Sequence, residues 1–554
     1  MKKHILMRRT TFVAFAIAVV AAAWGAKKSH DAALARNLSI FNTLVRELEA
    51  NYVDTIRTDE TFKAAISALL DEVDPYTEFY YPDEQESLLT MTTGEYGGIG
   101  SYIMERDGWT YISQPYEGSP AAEAGLKAGD KLIRIDTVSL AGKTNKEVSA
   151  MLKGQPGTTV NVRVQRPFAT DSILDFAIRR RKLTMPSVAY SGVTPEGIGY
   201  LKVTSFMEKS PDEVRKALEE FKKNPDLKGI ALDLRGNGGG LLESAVDIAG
   251  MFLPKGTEVV RTKGKKREKI YKTTRQPIYP DIPLAVLIDG GSASASEIVA
   301  GSLQDLDRAV LVGSRSFGKG LVQSTRPLPY GSLLKVTVSK YYIPSGRLIQ
   351  ALDYSHRNPD GTVARTPDSL THEYKTLHGR SVRDGGGLQP EVEVDWGKLS
   401  RIVYNVATGN WAFDFATKYA AGHETVPSPA EFTVTDTIFA DFKRSIDPAK
   451  FKYDQVGAEL MKKVEENLDV EGYLNPEVKA AIDSLSAMLT HDLDHDLDLH
   501  RSELSDLIAS EIMSRYYFER GNVENSLKSD KGLAKATELL LDRKRYDKLL
   551  RPAR

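Results

Sequence analysis

The sequence contains no cysteine in 554 residues. This excludes disulfides, thiolate metal sites, a cysteine nucleophile and acylation of an N-terminal cysteine. It is compatible with an oxidising compartment without requiring one. Excess charge of either sign is also lacking. Lysine and arginine total 74 against 75 aspartates and glutamates, a net charge of −1, which gives no electrostatic case for nucleic acid. Long apolar runs are scarce. The mostly apolar stretch from Phe12 to Ala26, preceded by Lys2, Lys3, Arg8 and Arg9, is short for a membrane span and fits the h-region of an export signal. Ala23 and Gly25 supply small residues for cleavage; an uncleaved anchor and a buried first helix are the alternatives. Arg8-Arg9 alone does not establish twin-arginine export. We therefore expect residues 1–26 to be a signal peptide or N-terminal anchor and the protein to be periplasmic, touching membrane only if that segment is retained. The remaining composition, 41% hydrophobic and 27% charged, is ordinary globular composition, and the length predicts roughly three or four domains.

The stretch with the most chemistry is Gly290-Gly-Ser-Ala-Ser-Ala-Ser-Glu297. Upstream, Leu284-Ala-Val-Leu-Ile288 reads as a short buried strand, and downstream Ile298 to Leu303 is apolar. The serines thus fall on a strand-to-helix turn, where backbone N–H groups lack partners and can stabilise a developing oxyanion. Serine needs a base, and a lysine desolvated enough to lose its proton can serve. Phe317-Gly-Lys-Gly-Leu-Val-Gln323 offers Lys319 between glycines and an amide at Gln323. Their spacing of four predicts that the two face the same way. On composition alone the serines read more readily as N-caps of an ordinary helix. Gly313 to Lys319 fits the start of a phosphate-binding loop, but Gly320 stands where a hydroxyl should reach magnesium, so that reading fails.

The rest of the chain divides by pattern. Phe41, Leu44, Val45 and Leu48, then Phe62, Ala65, Ile66 and Leu69, recur at helical spacing until Pro75 breaks the run. Tyr96-Gly-Gly-Ile-Gly-Ser-Tyr102 precedes strand-like segments at Tyr111–Ser113, Lys131–Ile135 and Val160–Gln165, with a helix over Asn145–Leu152. Gly118 to Asp130 looks like the short helix and turn of a PDZ domain. On that resemblance Gly97, Gly98, Ile99 and Gly100 are peptide-binding residues, whose backbone can approach a terminal carboxylate while the peptide adds as a strand. A tight turn explains the glycines as well, and Val148 and Leu152 suit either a side-chain pocket or the core. Further on, Gly199–Val203 and Gly229–Leu234 read as strands flanking a helix over Pro211–Lys223. Arg235-Gly-Asn-Gly-Gly-Gly240 leads into a helix from Leu241, so the alternation predicts an α/β core with right-handed crossovers. Glu297 and Asp305 lie near the serine in sequence and could tune the site, but a solvated helix face suits both better. Beyond Lys398 the sequence is charged and helix-patterned. His491 and His495 stand four apart among aspartates, a spacing open to metal ligation but better suited to a solvated acidic face.

The run from Gly290 through Ile298, then Leu-Gln-Asp305, Arg-Ala309, Val-Gly313 and Phe317 to Gln323, resembles the C-terminal processing peptidases, also called tail-specific proteases. The resemblance extends from about Leu38 to about Val394. It implies that Ser294 is the nucleophile, Lys319 the general base and Gln323 the residue that orients it. It places the oxyanion hole at Gly238 and Gly239 with the N–H of Ala295. None of the nine histidines falls in these motifs, as a Ser-Lys enzyme allows.

The expected fold is multidomain α/β. N-terminal helices (31–90) and an inserted PDZ domain (91–182) lead to a peptidase core (186–398) with a mixed β-sheet and helices, and a C-terminal helical extension (399–554) follows. The expected activity is a serine endopeptidase that recognises protein or peptide substrates by apolar C-terminal tails, with no cofactor and no metal. The resemblance leaves room for an adaptor protein and for a homo-oligomer; the extension has the character of a regulatory, oligomerising or adaptor-docking element. The rivals are a catalytically silent PDZ scaffold, an ATP-dependent enzyme and a Ser-Lys amidase or esterase for small molecules. The three filled catalytic positions, Gly320 and the peptide-binding module argue against them in turn.

Overall fold

The computed structural model describes residues 31–358, 360–452, 456–488 and 492–551; the export-signal reading of residues 1–26 and the ligand reading of His491 fall outside them. The chain divides into two compact units, one ending at Phe79 and the other running from Tyr80 to Arg554. In the first, helix α1 covers 31–51 and α2 covers Thr58–Asp71. Phe41 on α1 meets Phe62 on α2 edge-on, with ring centroids 6.3 Å apart.

In the second unit α3 (Gln85–Thr93) ends at Gly94, whose φ of +71° suits a left-handed helix stop. β1 (Glu95–Gly98) follows. Strands β2 (Ser101–Arg106), β3 (Trp109–Pro115), β4 (Lys131–Ile135), β5 (Thr159–Gln165) and β6 (Ile173–Arg179) then pair in that order in an antiparallel sheet. Strict alternation in β5 buries Val160, Val162 and Val164 while Thr159 and Asn161 stay exposed, the pattern of a strand with one face on a core. Helix α4 (Pro120–Ala124) and helix α5 (Asn145–Leu152) close that core, α5 starting from a Thr144–Glu147 capping box. β7 (Arg181–Thr184) returns to pair with β1.

The peptidase core alternates strand and helix: β8 (Val188–Val193), β9 (Ile198–Val203), α6 (Ser210–Phe221), β10 (Gly229–Asp233), α7 (Leu242–Ala249), β11 (Glu258–Gly264), β12 (Glu268–Lys272), β13 (Leu284–Ile288), α8 (Ala295–Asp305) and β14 (Val310–Gly313). Then come β15 (Leu321–Pro327), β16 (Leu333–Tyr342) and β17 (Val392–Glu393). A six-stranded sheet runs β8-β9-β10-β13-β14-β17 and is parallel except at β8–β9. Every residue of β10, β13 and β14 is buried, as parallel strands covered on both faces demand. β15, β16, β11 and β12 pair antiparallel beside it.

The C-terminal helices are α9 (Arg401–Thr408), α10 (Trp411–Gly422), α11 (Asp436–Ser445), α12 (Val456–Val470), α13 (Pro476–Met488), α14 (Leu493–Leu499), α15 (Arg501–Ser526), α16 (Lys531–Leu541) and α17 (Arg543–Leu550). They serve two cores. Residues 402–513 build one of their own around Phe415, Phe442, Leu504 and Ile512. Beyond a break at Phe518, where φ is +55° inside α15, Val523, Leu533, Leu539, Leu540 and Tyr546 pack on Tyr200, Ala231, Leu287 and Val312 of the peptidase sheet. The expected extension is therefore in part the second covering layer of the catalytic core.

Candidate active site

β13 delivers the chain to a tight turn. Asp289 Oδ1 accepts N–H bonds from Gly291 and, across the sheet, from Gly236, both at 2.9 Å. Ser292 Oγ donates to Leu234 O at 2.8 Å. Ser294 then caps α8 with φ +56° and ψ −112°. These are the angles of the first corner of a type II′ turn, where glycine is the usual residue. A serine held there stores about 1–3 kcal/mol of strain and persists only if its surroundings over-determine it. They do: Ser294 N donates to Glu297 Oε2 at 2.9 Å, and Ser294 O accepts from Tyr341 OH at 3.2 Å and Ile298 N at 2.9 Å. The sharp corner leaves Ser294 half-buried at the strand-to-helix turn, the position of the nucleophile in an elbow of this kind.

The glycine loop after β10 lies against this corner. A Cβ on Gly239 would sit 2.9 Å from both Ser294 Cβ and Ala295 N, and 2.8 Å from Ala293 O. Only glycine allows that approach, and φ of +105° adds to the requirement. Asn237, fully buried, joins the two loops: its carbonyl accepts from Ala293 N at 3.1 Å and Ser296 Oγ at 2.7 Å. Its Oδ1 also takes the Gly239 N–H at 2.9 Å. Gly239 is thus a packing residue whose amide is already bound. The N–H groups of Gly238 and Ala295 have no hydrogen-bond partner among the described residues.

Glu297 connects the serine to the lysine segment. Oε2 accepts both Ser294 N and Lys319 N at 2.9 Å, and Oε1 accepts Gly318 N at 2.7 Å and Ser316 Oγ at 2.5 Å. The amides of Ser294 and Lys319 therefore share one carboxylate oxygen. Glu297 is fully buried, and burial pushes its carboxyl above the ordinary range against the pull of these donors. The solvated-face expectation for Glu297 is corrected, and so is that for Asp305, which is 2% exposed and pairs with buried Arg347 at 2.7 Å. All eleven residues of α8 are buried, so this helix has no solvent face.

Gln323 lies on β15, and Lys319 precedes that strand. A register shift between Val322 and Gln323 breaks the alternation, so their spacing of four does not by itself align the side chains. Gln323 Nε2 donates to Thr337 Oγ1 at 3.0 Å. Thr337 and Tyr341, both on β16, therefore hold two of the three candidate positions from one strand. No local pattern marks either residue.

The inserted domain carries a groove of about 160 Å³ between β2 and α5, lined by Ile99, Gly100, Ile103, Ser149 and Leu152. The N–H groups of Ile99 and Gly100 have no hydrogen-bond partner among the described residues, which suits an incoming carboxylate. Gly97 and Gly98 instead pair with β7, and a Cβ on Gly97 would meet Gly154 O at 2.2 Å. The structure thus splits the expected glycine set into groove and packing residues. Leu152 lines the groove, while Val148 lies in the core.

The chain matches peptidase family S41 over residues 197–360, a PDZ domain over 111–166, and the C-terminal helical domain of probable PDZ-proteases over 402–540. It is 34% identical over 346 residues to the carboxy-terminal-processing protease of Bartonella bacilliformis, covering 61% of this chain and 77% of that protein. It is also 34% identical over 331 residues to a probable CtpA-like serine protease of Staphylococcus aureus, covering 59% of this chain and 65% of that protein. Among solved structures, a photosystem II D1 C-terminal processing protease aligns at 27% identity with a TM-score of 0.35, over 64% of this chain and 86% of that one. With a strained serine corner, a glycine loop against it and a groove beside Ile99 and Gly100, the chain belongs to the carboxy-terminal-processing proteases of family S41, serine-type peptidases with a PDZ domain.

Proposed function

We propose that the protein is an endopeptidase that takes proteins by their apolar C-terminal tails in the groove beside Ile99 and Gly100 and cuts them with a Ser294–Lys319 pair. What carries the reading is the Ser294 corner: a non-glycine residue at φ +56°, with its amide and that of Lys319 on the same Glu297 oxygen. Ser294 Oγ attacks the scissile carbonyl carbon as its proton passes to the neutral amine of Lys319. Gln323 steadies the lysine. The tetrahedral oxyanion lies against the N–H groups of Gly238 and Ala295 at the start of α8, where the helix dipole adds to the stabilisation. Collapse breaks the C–N bond and the leaving amine takes the proton from Lys319. Water then gives a proton to the same lysine as it attacks the acyl carbon, and that proton passes to Ser294 Oγ as the ester bond breaks. The apolar residues Ile99, Ile103 and Leu152 in the groove favour an apolar terminal side chain.

The test follows cleavage of an unfolded protein with an apolar tail by the parent, Ser294→Ala and Lys319→Ala, with chelator and without ATP. We expect cleavage by the parent alone. Cleavage surviving in Ser294→Ala overturns the assignment, and tail binding without cleavage by the parent points to a scaffold.

A further inference from the structure

The loop that lies against Ser294 begins at Arg235, and Arg235 is gripped from both sides. Fully buried Asp233, the last residue of β10, accepts Arg235 N and Nε at 2.9 Å on Oδ1, and Arg235 Nη2 at 2.6 Å on Oδ2. Tyr200 OH adds a fourth bond at 2.5 Å. On the other side Arg235 donates from Nη1 and Nη2 to the Asp530 carboxylate at 3.0 and 2.5 Å. Asp530 caps α16, accepting Leu533 N at 2.9 Å. The guanidinium lies 5.4 Å from the centroid of the Trp396 ring. Gly532 makes room for this packing, since a Cβ there would sit 2.7 Å from Trp396 and 2.9 Å from Arg235 Nη1. The side chains of Arg235 and Asp530 are only 14% and 11% exposed.

Stability alone does not account for this arrangement. Buried ion triads are often no more stabilising than apolar residues of the same volume. What the triad does supply is a fixed position for the backbone at residue 235. The next five residues include Gly236, Gly238, Gly239 and Gly240, a run with little stiffness of its own. Its far end is fixed by Leu241 N on Phe206 O at 2.7 Å and Phe206 N on Gly239 O at 3.1 Å. Its near end starts at Arg235. Between there and Gly238 the Gly236 N–H is held by Asp289 and the Asn237 carbonyl by Ala293 N and Ser296 Oγ, so Arg235 sets the direction in which the loop leaves β10. An oxyanion donor has to lie about 2.7–3.1 Å from the reacting oxygen, and an error of about 1 Å costs on the order of 10²-fold in rate.

We propose that Arg235 and Asp530 are positioning residues for catalysis: helix α16, through this two-pronged pair, sets where the Gly238 N–H meets the oxyanion. The inference rests on the Ser294 reading above. It makes Asp530, on the C-terminal helices, act on the site through Arg235.

The experiment measures kcat and KM on a fluorogenic tail-bearing peptide, together with the labelling rate by a serine-directed fluorophosphonate, for the full-length parent, Asp530→Asn and Gly532→Ala. Asparagine caps a helix as well as aspartate does, so Asp530→Asn keeps α16 started and removes only the charge. Gly532→Ala keeps every charge and pushes on Arg235 and Trp396. We expect each to lower kcat and the labelling rate roughly 10- to 100-fold, with KM unchanged and the thermal transition retained. Parent-like kcat in both variants overturns the inference, as does a loss in which kcat, KM and the melting transition move together. Labelling that survives in Ser294→Ala would instead strike the nucleophile assignment, whatever the Asp530 variants do.

Discussion

The two faces of the six-stranded sheet each hold down one loop of the candidate site with one fully buried carboxylate, yet the two carboxylates shift in opposite directions. On the face covered by α6, α7 and α8, Glu297 ties the Ser294 corner to the Lys319 segment using three N–H groups and a hydroxyl. Burial pushes it up, and these dipoles do not cancel the cost. On the face covered by α16 and α17, Asp233 ties down the glycine loop. Burial pushes it up as well, but the Arg235 guanidinium, helped by Lys202 and the Tyr200 hydroxyl, more than offsets that and holds it below the ordinary range. A full charge at hydrogen-bond distance outweighs desolvation where a ring of dipoles does not. Both loops also depend on residues remote in sequence: Tyr341 holds the serine corner, and Asp530 grips Arg235 from the C-terminal helices.

The strongest way to break the comparison is to remove one face. Ending the chain at residue 522 takes away Val523, Leu533, Leu539, Leu540 and Tyr546, all at most 5% exposed. Burying each large apolar side chain contributes about 1.5–3 kcal/mol, so their sum approaches the roughly 5–15 kcal/mol that holds a typical domain together. We expect the truncated chain to lose its cooperative thermal transition and its near-ultraviolet dichroism. A soluble truncation that melts cooperatively would show that the α16 face is dispensable.

How the faces read in sequence follows the same divide. The serine corner was legible because strand, turn and helix are adjacent, and so were the strands and helices of the α/β core. Glu297 and Asp305 were not, because their partners lie elsewhere in the chain: Ser316, Gly318 and Lys319 for one, Arg347 for the other. A charged residue at helical spacing reads as solvent-facing unless its counter-group is known. The C-terminal helices were legible as helices. Their amphipathic pattern says that a face is buried but not on what, so the passage at Phe518 from a separate core to the peptidase sheet leaves no local mark. Arg235 sat in plain view in the glycine motif, but Asp530 lies 295 residues away.

The opposite shifts predict opposite pH slopes. Asp233 is depressed, so its contribution is present above the ordinary aspartate value of about 3.9 and is lost as pH falls through the lower folded value. Glu297 is raised, so its contribution is present below about 4.3 and is lost as pH rises through the higher folded value. Asp233→Asn should cost about 3–5 kcal/mol near neutrality, as breaking a buried pair does, with the deficit shrinking in acid. The deficit of Glu297→Gln should be greatest in acid and shrink as pH rises. Urea midpoints across roughly pH 3 to 8 decide it, and deficits that move the same way would refute the contrast.

The smallest expected effect sets the lower limit of the comparison. Arg106 on β2 meets Asp414 on α10 at 2.6 Å, with 30% and 42% of the two side chains exposed. The separation equals that between Arg235 and Asp233, at 2.6 Å, but water screens this pair and long side chains lose freedom to form it. Asp414→Ala should therefore cost no more than about 1 kcal/mol, and less as salt is added, measured by urea unfolding at two ionic strengths. If it cost as much as Asp233→Asn, distance rather than burial would set the worth of these pairs. The buried carboxylates would then no longer explain why each face of the sheet holds its loop.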